Sequence, residues 1–193
     1  MEDQDDEDVK AKQVAPDCGK KKAQKTRKWD DCMCAQVCEM VKAYNESKRQ
    51  KKRLDPSPSN AKPGSRARQA YEGSIGDFED EFAAVVNANP GNPDHPDIKK
   101  MFYSPPEGKP PGTPPPPDCQ HAKWKAAGAK AEPKRKGVGA MNPDHMHPAG
   151  LNGPLTSDNC IWADARVNRT VGGGMNVKPA PKKMKAHPSC NCP

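Results

Sequence analysis

The sequence predicts an α+β protein with a small compact unit at its C-terminal end, preceded by helices and proline-rich linkers. Segments in the first half carry apolar residues at helical spacing, whereas the last third has short extended runs between glycine- and proline-bearing loops. Only 33% of the 193 residues are hydrophobic, and 23 are proline. Such a chain buries little apolar surface per residue, which argues against a single large core.

Charge is unevenly distributed along the chain. Residues 119–193 contain twelve Lys/Arg and four Asp/Glu, a net charge of about +8, whereas the whole chain carries +7. A basic segment of this size favours polyanions such as nucleic acid or an acidic protein, although lysines on a solvated surface are the simpler alternative. Residues 2–8 are almost all acidic, and no apolar run approaches a membrane span. We therefore expect neither a signal peptide nor a membrane-spanning segment.

The N-terminal half divides into a tail and a helical region. Residues 1–26, acidic and then basic with no apolar periodicity, are expected to be disordered. Residues 27–103 form a helical, cysteine-containing region. Its first helix is predicted over 29–53, where Asp30 or Asp31 would cap the start, and its second over about 75–87.

A proline-rich linker at 104–118 separates this region from the C-terminal one. Its prolines favour an extended polyproline II conformation, which acts as a stiff spacer. The final region, 119–193, is predicted to contain a helix around 120–131 and then a short strand. A later helix should end sharply at Gly172-Gly173-Gly174, and a basic, cysteine-containing tail follows.

Eight cysteines leave both disulfides and zinc open as uses. Cys34 and Cys38 are four residues apart and share one helix face, where we favour packing or a disulfide to a distant cysteine over zinc. Cys190 and Cys192, close to His187, could bind a metal or form a disulfide that fastens the chain end. The spacing does not determine which cysteines pair.

The strongest chemical pattern begins at the adjacent residues Asp144 and His145. Asn159 follows His145 by fourteen residues, and Asn168 follows nine residues later. Histidine is the side chain suited to take a proton from water near neutral pH. The oxygens of Asp144 and Asn168 suit a hard divalent cation, above all Mg²⁺, which keeps part of its hydration shell.

An earlier copy of the same four residues, Asn-Pro-Asp-His, lies at 92–95. Fourteen residues after His95 stands Lys109, not an asparagine, and prolines surround it. We therefore interpret the first copy as a turn. The hypothesis that the second copy, at 142–145, belongs to a catalytic site depends on Asn159 and Asn168 acting together with it.

The order and spacing of these residues resemble the His-Asn-His/Asn (HNH) endonuclease family, over roughly residues 138–172. The resemblance implies a ββα-metal core, in which two short strands and a helix enclose one metal ion. It implies that His145 is the general base and that Asp144 and Asn168 bind the metal. It also implies that Asn159 assists catalysis by steadying the loop and helping to hold the histidine.

Further residues are candidates for contacts in such a site. His147 would share a face with His145 if the segment were a strand, and it could bind metal or phosphate or be structural. Arg166 and Arg169 flank Asn168 and are likewise candidates for a metal or phosphate contact, to the scissile phosphate or a neighbouring one, or they could be solvated arginines. The predicted nucleic-acid contacts are Lys123, Lys125, Lys134, Arg135 and Lys136.

We expect a metal-dependent endonuclease that hydrolyses DNA with little sequence specificity, because nothing resembles a helix-turn-helix or zinc-finger reader. Mn²⁺ or another transition metal could replace Mg²⁺. A structural Zn²⁺ is in doubt, since only Cys160 lies inside the motif and the cysteine pairs of many relatives are missing.

The architecture also resembles the toxin tip of bacterial polymorphic or contact-delivered effectors. That resemblance implies an antibacterial toxin with an acidic immunity protein. It would be made in the bacterial cytoplasm and delivered, by a contact-dependent or type VI-like system, to a target-cell cytoplasm. The alternatives are a phage or mobile-element HNH nuclease, and a non-enzymatic, cysteine-rich basic binding or scaffold protein.

Overall fold

The computed structural model describes residues 12–13, 29–49, 57–104, 118–136, 139–175, 183–186 and 190. The elements in chain order are β1 (Lys12–Gln13), α1 (Asp31–Arg49), α2 (Arg66–Ala88), α3 (Pro96–Lys99), α4 (Cys119–Ala126), β2 (Met141–His145), β3 (Cys160–Asp164), α5 (Ala165–Met175) and β4 (Met184–Lys185). The chain is therefore α+β, as predicted. Most of the predicted tail and nearly all of the proline-rich linker lie outside the described residues. Among the described helices, none has the length and apolar character to cross a membrane.

Side-chain caps start the two long helices. The Met33 N–H donates to Asp30 Oδ1 at 2.9 Å, so Asp30 caps α1, one of the two predicted caps. Helix α2 begins at Arg66, nine residues before the predicted start, where Ser65 Oγ accepts from the Arg68 N–H at 3.3 Å. Its first turns are mostly exposed and polar. They therefore lack the apolar spacing on which the sequence-based boundary depends.

The central structure is a two-stranded antiparallel sheet. Strand β2 pairs with β3 so that His145 lies opposite Cys160. On the other side of β3, the Trp162 N–H donates to the Met101 carbonyl at 2.7 Å, and Trp162 O accepts from the Tyr103 N–H at 2.9 Å. Strand β3 is thus covered on both edges, which places Trp162 in the middle of the protein. At the chain ends, β1 and β4 form a separate parallel pair.

Helix α5 follows β3 directly and runs to Met175, so the prediction that Gly172–Gly174 end it is wrong. Asp164 starts the helix, since its Oδ1 accepts from the Arg166 N–H at 2.9 Å. Each glycine costs a helix about 1 kcal/mol relative to alanine. Val167 and Val171 are fully buried against α1, and this tertiary packing outweighs the poor local propensity.

The predicted helix at 120–131 ends early, at Ala126. Gly128 and Ala129 adopt positive φ angles of 101° and 50°, which a right-handed helix cannot accommodate. The indole N–H of Trp124 donates to the Lys130 carbonyl at 2.8 Å and closes the chain back on the helix.

Residues 92–95 form a turn, as predicted. His95 Nδ1 accepts from the Asp97 N–H at 3.3 Å and caps α3.

Two apolar clusters make up most of the core. The first joins α1 to α5 and to Leu151 and Met184. The second joins α2 and the segment around Met101 to α4, β2 and β3. Both clusters combine residues from before and after the proline-rich segment at 104–118.

Disulfides fasten α1 to distant parts of the chain. Cys32 bonds to Cys119 and Cys34 bonds to Cys190. Cys38 is also disulfide-bonded. Of the two alternatives favoured over zinc, packing or a disulfide to a distant cysteine, the disulfide is confirmed for Cys34. Cys160 is a buried free thiol.

Replacing Phe82 with alanine should lower the free energy of unfolding by about 3–5 kcal/mol, because it leaves a cavity in the second cluster. The matched control is Asp80→Ala, an exposed position on the same helix, which should change that free energy by less than about 0.5 kcal/mol. Urea denaturation followed by tryptophan fluorescence measures both. Equal effects of the two substitutions would contradict a core shared between α2 and the C-terminal strands.

Candidate active site

A cavity of about 240 Å³ lies where α2, the end of β2 and α5 meet. Its lining includes Asp144 and His145 from β2 and Asn168 from α5, three of the four residues on which the sequence hypothesis depends. The remaining lining residues are Met40, Ser57, Ser59, Tyr71, Pro148, Ala149, Gly150, Leu151, Gly172 and Gly173.

The imidazole of His145 is held by helix α2. Its Nε2 lies 3.0 Å from Ser74 Oγ, and both residues are buried. The ring stacks in a tilted arrangement on Tyr71, with 5.2 Å between ring centroids. Burial lowers the pKa of His145, which favours the neutral imidazole that a general base needs.

Asp144 presents a partly buried carboxyl group to the same cavity. Its Oδ1 accepts the backbone N–H of His145 at 3.0 Å, the carboxylate's single hydrogen bond within the described residues. Burial raises the pKa of Asp144 to about 7, and the hydrogen bond from His145 only partly opposes this. Among the described residues this partly buried carboxylate has no cationic side-chain partner, and such a group is suited to a bound cation.

Asn168 lies on the first turn of α5. Its Nδ2 is 3.5 Å from the Pro143 carbonyl, a weak contact that leaves Oδ1 on the other side of the amide. A Cβ atom added at Gly172 would lie 3.6 Å from that Oδ1, so the glycine keeps the neighbouring space open. Asp144 and Asn168 therefore offer two oxygen donors to one cavity.

This donor set fits a hard, partly hydrated cation better than zinc. In the part of the chain that the structure describes, no three His, Cys, Asp or Glu residues cluster as a metal site. A carboxylate and an amide oxygen, completed by water, are the ligands that Mg²⁺ accepts.

Asn159 makes the loop-steadying contacts that the family resemblance implies. Its Oδ1 accepts from the His147 N–H at 3.0 Å, and its Nδ2 donates to the carbonyls of His147 at 3.0 Å and Pro154 at 2.8 Å. Its own carbonyl accepts from the Met146 N–H at 2.7 Å. Asn159 thus ties together both ends of the loop that follows His145, although it does not line the cavity.

His147 and the two arginines lie away from the cavity lining. Strand β2 ends at His145, so the shared face expected for a longer strand does not form. The exposed His147 points its Nε2 at the Leu151 carbonyl, 3.3 Å away. The Arg166 guanidinium lies 5.0 Å from the ring centroid of Trp29, and Arg169 is exposed on α5. Their contact with metal or phosphate stays a prediction.

Three of the five predicted nucleic-acid contacts are engaged with carboxylates. Lys123 pairs with Asp30 at 2.7 Å, and Lys125 pairs with Asp94 at 2.5 Å. Arg135 pairs with Glu79 at 2.5 Å and also lies over the ring of Trp162. Lys134 and Lys136 are exposed.

A second cavity, of about 420 Å³, adjoins the first and shares Tyr71 and Asn168 with it. Arg68 and Arg135 line it, together with Glu72 and Glu79. Arg135 is one of the five predicted nucleic-acid contacts, and it lines this second cavity. The other four, all described in the structure, line neither cavity. Contact of all five with nucleic acid stays a prediction.

Sequence reasoning missed the contribution of α2. Ser74 and Tyr71 contact His145, yet they lie 71 and 74 residues before it in the chain. No sequence motif or residue spacing predicts that a serine and a tyrosine of a polar helix contact a histidine so far along the chain. Packing of the apolar face of α2 on β3 brings them there.

Comparison of the chain with protein-family models, with curated proteins and with solved structures finds no match.

Gly153→Ala should distort the loop that Asn159 ties, because an added Cβ would lie 1.9 Å from the His147 carbonyl oxygen. We expect the free energy of unfolding to fall by about 1–3 kcal/mol and the His147 amide to exchange faster. Thermal denaturation and amide hydrogen exchange measure these effects.

The control for this substitution is Gly76→Ala in α2, where a Cβ meets nothing within 4 Å. It should raise stability by up to about 1 kcal/mol. If the exchange rate of the His147 amide hydrogen were unchanged in Gly153→Ala, the His147 carbonyl would not lie as close to Gly153 as the structure has it.

Proposed function

We propose that this protein is a metal-dependent endonuclease that hydrolyses DNA, with the first cavity as its active site. The main support for this proposal is that Asp144, His145 and Asn168 all line that cavity. The order of β2, β3 and α5, with a loop tied by Asn159, supports a ββα-metal core of the HNH type.

In this mechanism His145 takes a proton from the attacking water. The carboxylate of Asp144 and the amide oxygen of Asn168 would hold a divalent cation, most favourably Mg²⁺. Such a cation would supply positive charge to the phosphate and to the leaving oxygen. Asn159 fixes the loop after His145, and so limits the orientations available to the histidine.

DNA as substrate is supported by the net positive charge of residues 119–193. Action as a delivered bacterial toxin, with an acidic immunity protein as partner, is part of the same proposal and follows from the resemblance stated above. The disulfides on α1 favour the rival, a non-enzymatic scaffold that uses cysteines as its structural device. Assays of DNA cleavage separate the two.

His145→Ala should reduce cleavage of plasmid DNA in the presence of Mg²⁺ or Mn²⁺ by at least about 100-fold, because it removes the general base. The matched control is His95→Ala, which alters the same Asn-Pro-Asp-His sequence in a turn that lines neither described cavity. That variant should cleave like the wild type. Gel assays with and without chelator measure the rates.

Absence of cleavage by the wild type with any divalent metal would refute the nuclease and favour the scaffold. Growth arrest on expression in bacteria, relieved by His145→Ala but not by His95→Ala, is expected for a toxin. Normal growth with a wild type that is active in vitro would argue against the toxin.

Asp144→Asn should weaken binding of Mn²⁺ by at least about tenfold, because it keeps the side-chain shape but removes the anionic ligand. Asp94→Asn is the control, since Asp94 holds the same place in the turn copy and pairs with Lys125. Titration calorimetry or the paramagnetic resonance of free Mn²⁺ gives the dissociation constants. Equal weakening by both substitutions would indicate nonspecific attraction, not a metal site.

A further inference from the structure

Helix α2 supplies a hydrogen bond at the candidate site that the motif does not contain. Ser74 is buried, and its Oγ lies 3.0 Å from His145 Nε2 and 2.9 Å from the Tyr71 carbonyl oxygen. A serine hydroxyl carries one proton and two acceptor sites. The two neighbours of Ser74 therefore determine which way each hydrogen bond runs.

The carbonyl of Tyr71 can only accept, so the Ser74 proton is donated to it. This is the usual back-bond of a serine inside a helix. Ser74 Oγ must then accept from His145, which requires a proton on Nε2. In a neutral imidazole only one nitrogen carries a proton, so Nδ1 is left with a free lone pair.

The free Nδ1 atom is not used elsewhere in the described part of the protein. The hydrogen bond to Ser74 is the one that the His145 ring makes there, and the residue lines the cavity. Tyr71 covers the ring at an interplanar angle of 33°, which restricts its rotation. One hydrogen bond and one ring contact thus hold both the tautomer and the plane of the imidazole.

We propose that Ser74 is a positioning residue of this site, which keeps His145 in the tautomer whose Nδ1 can take a proton from water. This rests on the hydrolytic function proposed above. In the step, the water O–H bond breaks and its proton passes to Nδ1. The water oxygen bonds to phosphorus, the bond from phosphorus to the leaving oxygen breaks, and solvent protonates that oxygen.

The test combines nitrogen NMR of the histidine rings with cleavage kinetics. Nitrogen shifts at about pH 8, where a histidine is neutral, should show His145 of the wild type protonated at Nε2. Ser74→Ala should shift that population toward Nδ1 protonation. It should also lower kcat by about 10–100-fold, as loss of an orienting partner does, with KM changed less than about twofold.

Ser74→Thr, which retains the hydroxyl, should restore the wild-type tautomer and most of kcat. The control is Gly73→Ala at the next position of α2, exposed and with nothing within 4 Å of an added Cβ. It should leave the spectrum and kcat as they are. This pattern separates positioning of His145 from a general disturbance of the helix.

Protonation of His145 at Nδ1 in the wild type would overturn the inference, and so would an unchanged tautomer in Ser74→Ala. Both results come from the protein without metal or substrate, so they do not depend on cleavage. A wild type protonated at Nε2 that cleaves no DNA would instead refute the hydrolytic function, and the positioning role with it.

Discussion

The packing of Phe82 against three other aromatic rings fixes the arrangement of the whole site. Its ring lies 5.3 Å from that of Trp162, 5.6 Å from Phe102 and 5.7 Å from Trp124, all in edge-to-face contacts. Trp162 is the middle residue of β3, so this contact seats α2 on the sheet. Ser74 lies eight residues before Phe82, on the same buried face of the helix. The core contact therefore places the hydroxyl group against His145.

The electrostatics of the fold differ from what the net charge suggests. Three basic residues of the C-terminal region meet carboxylates from the N-terminal half, as in the pairs of Lys123 with Asp30 and of Arg135 with Glu79. Those charges hold the two parts of the chain together at partly exposed positions, where each pair contributes about 1 kcal/mol or less. Attraction of a polyanion would then depend more on exposed lysines such as Lys134 and Lys136.

Local chemistry was predictable from the sequence, and the consequences of packing were not. Asp30 as a helix cap and the turn at 92–95 follow from nearby residues alone. The three cavity residues of the motif were also found, because β2 pairs with β3 and α5 follows β3 directly.

Other features depend on contacts distant in sequence. The early start of α2 has no apolar pattern to mark it. The continuation of α5 through Gly172–Gly174 depends on the packing of Val167 and Val171 on α1. The partners of Cys32 and Cys34 lie 87 and 156 residues away. Ser74 belongs to this group as well, since only the core contact of α2 brings it to the cavity.

The bond between Cys34 and Cys190 also has a consequence for the unfolded chain. It closes a covalent loop of the chain, and this loop contains the lining of the first cavity and the buried residues of both apolar clusters except Met33. When the oxidised protein unfolds, residues 34 and 190 stay joined, so the unfolded chain has fewer conformations than a linear chain of the same length. Reduction of the bond removes this restriction, and the entropy gained by the unfolded state then favours unfolding.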